Sequence, residues 1–266
     1  MTATQALILG LIQGLSEFLP ISSSAHLTLA PWLFHWPDPG LAFDVALHVG
    51  TLVAVLTYFR AQWISLILAA KSIVVHRRVE TDEERRVIFL IIATIPGAIA
   101  GLALESYAES TFRDPRLIAV VLIVMGIVLW LVDRVAAQER PLSSMRWIDA
   151  LFIGLAQMFA ILPGVSRSGS TITAGRALRM TRESAAVFSF LMSMPIIAAA
   201  SILKVPHVLK TEGFSAPLLV GVLASAISGW LAIAILLRFV LRSSYGVFAA
   251  YRVVLGLIVL AIASAR

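Results

Sequence analysis

Two short stretches of this chain hold most of the residues able to do chemistry. The first reads QGLSEFLPISSSAH, from Gln13 to His26. Gln13 and Glu17 are four apart, so on a helix both project from one face. Pro20 follows closely and ends that helix, because its ring lacks an N–H and clashes with the preceding turn. Ser22, Ser23, Ser24 and His26 come directly after. The second stretch reads PGVSRSGSTIT, from Pro163 to Thr173. Gly164 and Gly169 permit tight turning and close backbone approach. Ser166, Ser168, Ser170 and Thr171 supply hydroxyls, and the helix expected to follow offers its N-terminal amides to an anion. Arg167 carries a planar fork of donors matched to phosphate oxygens.

Together the two stretches supply parts for phosphate-ester chemistry. Glu17 is an acid or metal ligand, Ser23 a hydroxyl nucleophile, His26 a nitrogen base or nucleophile, and Arg167 an anion clamp. Phosphoryl transfer asks mainly for positioning and charge neutralisation, and a serine nucleophile needs a base beside it. Ser22, Ser24, Gly164, Ser166, Arg167, Ser168 and Thr171 are the candidate phosphate-binding residues. Glu17 with Gln13 is the candidate metal site, for a divalent cation such as Mg2+ or Ca2+, which takes oxygen ligands. A purely structural Glu17–Arg167 pair is the blander reading, but it leaves the crowd of serine, histidine and amide groups at the same break unexplained. Elsewhere, His48 reads as a satisfied histidine facing the inside of a helix bundle, and Gln157 as an echo of Gln13 bordering the site. Asp44 and Asp149 read as helix caps, and Glu105 and Glu109 as parts of an outer loop.

The elements that must position these residues lie in a membrane. Of 266 residues, 59% are hydrophobic and 14% charged, with a mean hydropathy of +0.93. A soluble domain averages roughly 45–50% apolar and about 25% charged. The apolar character recurs along the chain, which implies a multi-spanning bundle and not a soluble domain on one anchor. The first residues, MTATQALILG, lack the basic region and cleavage site of a secretory signal. The absence of cysteine excludes disulfides and thiolate metal sites. A net charge of +6 reads as cytoplasmic loops setting orientation, not as a nucleic-acid surface.

A bilayer asks for roughly 20 apolar residues per helical span. Six stretches qualify: 41–58, 87–104, 117–132, 184–203, 217–237 and 247–263. Two more, 6–29 and 148–178, are interrupted by the polar motifs and read as re-entrant helix–loop–helix segments, since irregular polar backbone survives at membrane depth only where it faces protein or a wet cavity. With the loop after Tyr58 in the cytoplasm, fifteen of the 21 Lys and Arg residues fall on the cytoplasmic side and five outside. The charged segment between Arg60 and Val87 reads as a solvated cytoplasmic connection. The fold expected is therefore an all-α integral membrane protein, a single membrane domain over 1–266, built as an inverted-topology repeat (about 1–140 and about 145–266). Gly10-Leu11-Ile12-Gln13 and Gly154-Leu155-Ala156-Gln157, each followed by Leu-Pro and a serine cluster, support that repeat. In such architectures the broken segments meet near the midplane and build the site there.

At these residues the chain resembles the bacterial undecaprenyl-diphosphate phosphatases of the bacitracin-resistance type. That family carries Glu/Gln-x-x-x-Glu followed by a serine run and a histidine, here Gln13, Glu17, Ser22–Ser24 and His26. It also carries Pro-Gly-x-Ser-Arg-Ser-x-x-Thr, matched here by Pro163 to Thr171. The resemblance covers essentially the whole chain. It implies hydrolysis of undecaprenyl diphosphate to undecaprenyl phosphate and inorganic phosphate, which recycles the lipid carrier for cell-wall synthesis and confers bacitracin resistance. It also implies a divalent cation and a site opening to the outside of a bacterial inner (plasma) membrane. Glu17, Ser23, His26, Arg167 and Thr171 become site residues by the same likeness. The implied partners are a polyprenyl diphosphate and the bilayer, with no nucleic acid; a homodimer is compatible. Gln13 stands where a carboxylate is the alternative, and an amide is the poorer metal ligand, which weighs against a scheme in which two carboxylates hold the cation. An inverted-repeat transporter or flippase for a phosphorylated or anionic solute is the rival reading. It needs no serine–histidine–glutamate group beside the anion clamp. An intramembrane serine protease fits less well, since an arginine in the cradle suits phosphate better than peptide.

Overall fold

A computed structural model describes residues 1–104, 107, 111–211, 213 and 215–266, and all of their side chains but those of 41, 42, 207–209 and 211. Glu105 and Glu109 lie outside the described residues. The described chain is helical, without a strand. The helices are α1 (Ala3–Phe18), α2 (Ser23–Phe34), α3 (Gly40–Tyr58), α4 (Arg60–His76), α5 (Asp82–Ala103) and α6 (Pro115–Val135). After them come α7 (Trp147–Met158), α8 (Arg167–Ala177), α9 (Arg182–Thr211), α10 (Ala216–Val240) and α11 (Gly246–Ala265).

Among the described residues α5, α6, α9, α10 and α11 are long and apolar enough to cross a membrane. The sixth expected span falls on α3, which runs into α4 through an 84° bend. Here the structure corrects the sequence reading, because residues 60–76 are a helix and not a solvated loop. Ile64, Ile67, Leu68, Val74 and Val75 are exposed along it, apolar surface that a solvated connection would not carry. Only a short connection before α5 remains, and Thr81 and Glu84 close it with a reciprocal capping box.

The two interrupted stretches are each broken into a pair of helices, α1–α2 and α7–α8. The chain ends of the first pair lie on one side of the bundle. Arg266 donates to Trp32 O, Arg116 to Ala263 O, and Arg113 pairs with Asp38, which gathers the end of α2, the start of α3, the start of α6 and the end of α11. The ends of the second pair lie on the opposite side. Arg140 joins Asp149 near the start of α7 to Leu178 O after α8, beyond the end of α6. Each pair therefore enters and leaves on one side, and the two sides are separated by the length of α6.

Lipid is as apolar as leucine, so helices in a membrane associate through close backbone approach and polar contacts. The glycines record that approach. A Cβ on Gly10 would stand 2.2 Å from Gly221 O, and one on Gly14 would stand 2.0 Å from Ser228 Oγ, so α1 lies flat on α10. Likewise α7 lies on α5, where a Cβ on Gly154 would meet Ala93 O at 2.6 Å. The first helix of each broken pair thus packs on a span from the other half of the chain, and α6 packs along α11. This exchange is compatible with an inverted repeat. The polar residues follow the same logic: Gln13, Ser189, Ser225, Arg176 and Arg252 are buried, while Leu102, Ile202 and Ile227 face outward.

One of those buried residues is a second correction. Arg252, one of the fifteen basic residues that the charge count puts on the cytoplasmic side, sits in α11 and is fully buried. The charge asymmetry survives its removal, but the residue itself belongs to the interior.

Candidate active site

The breaks meet. α1 ends at Phe18 and α2 begins at Ser23; residues 159–166 separate α7 from α8. Ser22 and Ser166 are the N-caps of α2 and α8, at φ 77° and 70°, a left-handed conformation unusual for any residue but glycine. Each accepts from the backbone three residues on, Ala25 N to Ser22 Oγ and Gly169 N to Ser166 Oγ. Each hydroxyl also lies 3.2–3.3 Å from that of the serine two residues later, Ser24 or Ser168. The breaks are then knitted together: Gly164 N donates to Ser22 Oγ at 3.0 Å, and Ser168 Oγ donates to Leu19 O at 3.1 Å. Two helix N-termini, each with partial positive charge, are held side by side.

Arg252 supports the crossing from beneath. Its guanidinium donates to Pro20 O at 3.2 Å, Gly164 O at 2.6 Å and Val165 O at 3.0 Å, linking carbonyls of both breaks. Gly169 makes room for it, since a Cβ there would stand 2.6 Å from Arg252 Nη1.

Above the crossing, Glu17 gathers four neighbours on its two oxygens. Arg167 Nη2 donates to Oε1 at 2.6 Å. Ser23 Oγ donates to Oε2 at 2.6 Å and Gln13 Nε2 donates to the same oxygen at 3.1 Å. His48 Nε2 lies 3.4 Å from Oε2. Glu17 is buried, whereas Ser23 and Arg167 keep some exposure, so the hydroxyl and the guanidinium are the parts a ligand reaches. Arg167 is steadied by Ser189 O at 3.1 Å, and Thr171 Oγ1 lies 2.7 Å from Ser189 Oγ. A carboxylate at membrane depth is tolerable when paired and hydrogen-bonded.

Gln13, Glu17, Ser23 and Arg167 therefore come together as the sequence anticipates. His26 stands one turn along α2 and does not join them. Its Nδ1 donates to Ser22 O at 2.7 Å, and its Nε2 is 2.7 Å from Tyr251 Oη. The hydroxyls of the second motif are largely committed elsewhere. Ser170 and Thr171 donate to Arg167 O, and Ser166 and Ser168 tie the loops. They build the cradle's backbone, while Arg167 and the amides at the start of α8 are what it presents. Gln157 packs on Gly97 and donates to Ala93 O, away from the Glu17 cluster. Asp149 closes the first turn of α7 and pairs with Arg140, while Asp44 is no cap but a partner of Arg113.

His48, Tyr251 and Arg252 are the residues at this site that the motifs do not flag. Arg252 carried a legible signal, an arginine inside an apolar run. His48 is satisfied, as expected, through Nδ1 to Asp44 O at 2.7 Å, yet its other nitrogen faces Glu17. Nothing in sequence spacing ties Tyr251 to a residue 225 positions earlier.

The oxygen donors suit a divalent cation only in part. No group of three His, Cys, Asp or Glu residues among the described residues could hold a metal. Gln13 Oε1 is buried and without a hydrogen-bond partner, close to the Glu17 carboxylate and the Ser23 hydroxyl. One carboxylate, one amide oxygen and one hydroxyl fit Mg2+ or Ca2+ when phosphate oxygens complete the shell, as is common for Mg2+.

Comparison with known proteins covers the whole of this architecture. The model of the bacitracin resistance protein BacA family matches residues 6–258. A protein of Gemmatimonas aurantiaca named undecaprenyl-diphosphatase is 57% identical over 266 residues, covering 100% of both chains. Proteins of the same name from Moorella thermoacetica and Pelotomaculum thermopropionicum are each 49% identical, over 262 and 266 residues, with at least 98% of each chain covered.

Proposed function

Since this chain belongs to the BacA bacitracin resistance family, we propose that it is the membrane enzyme that hydrolyses undecaprenyl diphosphate to undecaprenyl phosphate and inorganic phosphate. The full-length identity to proteins named undecaprenyl-diphosphatase supports this substrate. The family's name attaches bacitracin resistance to the same activity.

The observation that carries the mechanism is the Ser23–Glu17–Arg167 chain, with both contacts at 2.6 Å. Ser23 Oγ attacks the terminal phosphorus while Glu17 Oε2 takes its proton. The bond from that phosphorus to the bridging oxygen breaks, and undecaprenyl phosphate leaves with the electron pair. Water then cleaves the phosphoserine, releasing inorganic phosphate and restoring the hydroxyl. Arg167 and the amides at the starts of α2 and α8 hold the phosphate oxygens and balance their charge. When bound, a Mg2+ or Ca2+ held by Glu17, Gln13 and the substrate's own oxygens would neutralise further phosphate charge. His26 as nucleophile is the less favoured route, because Tyr251 covers its Nε2.

The site belongs on the outer side of the membrane in this reading. The helix pair bearing Glu17 and Ser23 opens to the face that holds Asp38 and Arg113. The opposite face carries most of the exposed basic residues, the mark of a cytoplasmic surface.

The test is phosphate release by detergent-purified protein from a polyprenyl diphosphate, with and without EDTA, beside Arg167→Ala. Release that requires the cation and falls by about 100-fold or more in the variant is the expected result, the scale seen when one donor to a developing charge is removed. A folded sample that releases no phosphate overturns the enzyme and turns attention to flux of phosphorylated lipid in liposomes.

A further inference from the structure

The last helix supplies a part of the site that neither motif contains. His26 Nδ1 lies 2.7 Å from Ser22 O. A carbonyl oxygen only accepts, so Nδ1 carries the hydrogen. In the neutral ring Nε2 is then the lone-pair nitrogen, and the group 2.7 Å from it is the phenol of Tyr251, which donates. The rings lie parallel, 7° apart with centroids at 5.6 Å. Tyr251 is 44% exposed, while Arg252, its neighbour in sequence, is fully buried and bound to both loop breaks. Arg252 thus anchors this turn of α11 to the crossing, and Tyr251 is carried out over His26.

We infer that Tyr251 is a positioning residue for the phosphatase reaction, fixing the tautomer and the orientation of His26 beside the diphosphate. This rests on the reading of His26 as part of the phosphatase site. A histidine's reactive nitrogen is chosen by the hydrogen bond at the other one. Here both bonds are fixed, one by the backbone at the Ser22 cap and one by α11. The Nε2 lone pair is kept in a single direction, and the Tyr251 hydroxyl is the group that must yield when Nε2 engages a substrate oxygen or water.

Tyr251→Phe removes the donor and keeps the ring stacked. With His26→Ala and the double variant it forms a cycle, read by phosphate release from a polyprenyl diphosphate. Loss of an orienting partner of this kind costs about 10- to 100-fold. Tyr251→Phe should lower kcat on that scale with KM nearly unchanged, and the double variant should be no slower than His26→Ala alone. Nitrogen-15 histidine spectra of the intact protein give a readout that mere folding would not move. The Nε2 resonance lost in His26→Ala should be that of an unprotonated acceptor, and it should shift in Tyr251→Phe. If His26→Ala is inactive while Tyr251→Phe has wild-type kcat, or if the losses multiply, the inference fails and the site reading stands. If His26→Ala keeps its activity, His26 is outside the reaction and the inference fails with its premise, while the Ser23–Glu17–Arg167 reading stands.

Discussion

Glu17 is the residue on which the site turns, because it holds two kinds of partner at once. Arg167 neutralises one oxygen, and the other stays available to accept a proton from Ser23 at 2.6 Å. These roles separate by substitution. Ser23→Ala removes the attacking atom and leaves Glu17 paired with Arg167, so the fold should persist. Phosphate release should fall by about 1000-fold or more, as for nucleophiles that act as a unit with their base. Glu17→Gln keeps the shape but loses the acceptor charge and frees Arg167, so kcat should fall comparably while affinity for an inert diphosphonate holds or rises. The decisive measurement is single-turnover phosphate release in both variants. Substantial release by Ser23→Ala would eliminate the serine route and return His26 as the nucleophile.

Much of this cluster was legible because membrane-buried polar residues are rare enough to announce themselves. Ser23 and Arg167 stand in polar clusters that interrupt apolar stretches, Glu17 lies just before the first of these breaks, and Gln13 sits one turn before Glu17. Hidden from sequence was which hydroxyls face a ligand. Ser166, Ser168, Ser170 and Thr171 look alike on paper, yet their hydrogen bonds go mostly to backbone and to one another. His48 is satisfied as read, but the role of its second nitrogen was hidden for a related reason. A histidine can satisfy one nitrogen within its own helix and still present the other to the site.

At the scale of elements, the breaks were readable and the packing was not. Proline and serine runs inside apolar stretches mark where α1 and α7 stop. That α1 would lie on α10, more than 200 residues onward, is encoded in glycine positions that acquire meaning only once the partner is known. Gly14 leaves no space, since a Cβ there would meet Ser228 Oγ at 2.0 Å, Ser225 O at 2.4 Å and Gly229 N at 2.6 Å. Gly101 in α5 has nothing within 4 Å. Gly14→Ala should therefore drive α1 off α10, destabilise the protein by about 1–3 kcal/mol or more, and displace Glu17 one turn away. Gly101→Ala should be neutral or stabilising by up to about 1 kcal/mol, because alanine is the better helix former. Thermal unfolding in detergent, paired with phosphate release, tests the contrast. Equal Tm values would mean that α1 does not sit this close to α10.

At the scale of the whole molecule, the repeat and the orientation are separate questions. α1 on α10 and α7 on α5 are exchanged contacts, and the two broken pairs open to opposite sides of the bundle. Equivalent halves in opposite orientation are compatible with both facts, and the 144-residue offset between Gly10 and Gly154 also relates the Ser22 and Ser166 caps. In the proposed repeat, two such halves meeting near the midplane would build a site that either side could reach, so a further asymmetry must decide which side does. In the orientation proposed, charge supplies it, with Lys71, Arg77, Arg78, Arg85 and Arg86 on or beside α4 and the start of α5, opposite the face of Asp38 and Arg113. The chain has no cysteine, so single-cysteine variants report topology without background. Lys210→Cys, near the end of α9 that the proposed orientation places outside, should react with a membrane-impermeant maleimide in intact cells. Arg78→Cys, in the exposed connection after α4, should react only after the membrane is opened. The reverse pattern would put the Ser23 end of the molecule in the cytoplasm. The substrate would then have to be drawn from the inner leaflet, and the outward-facing phosphatase would have to be abandoned even if every residue of the site proved essential.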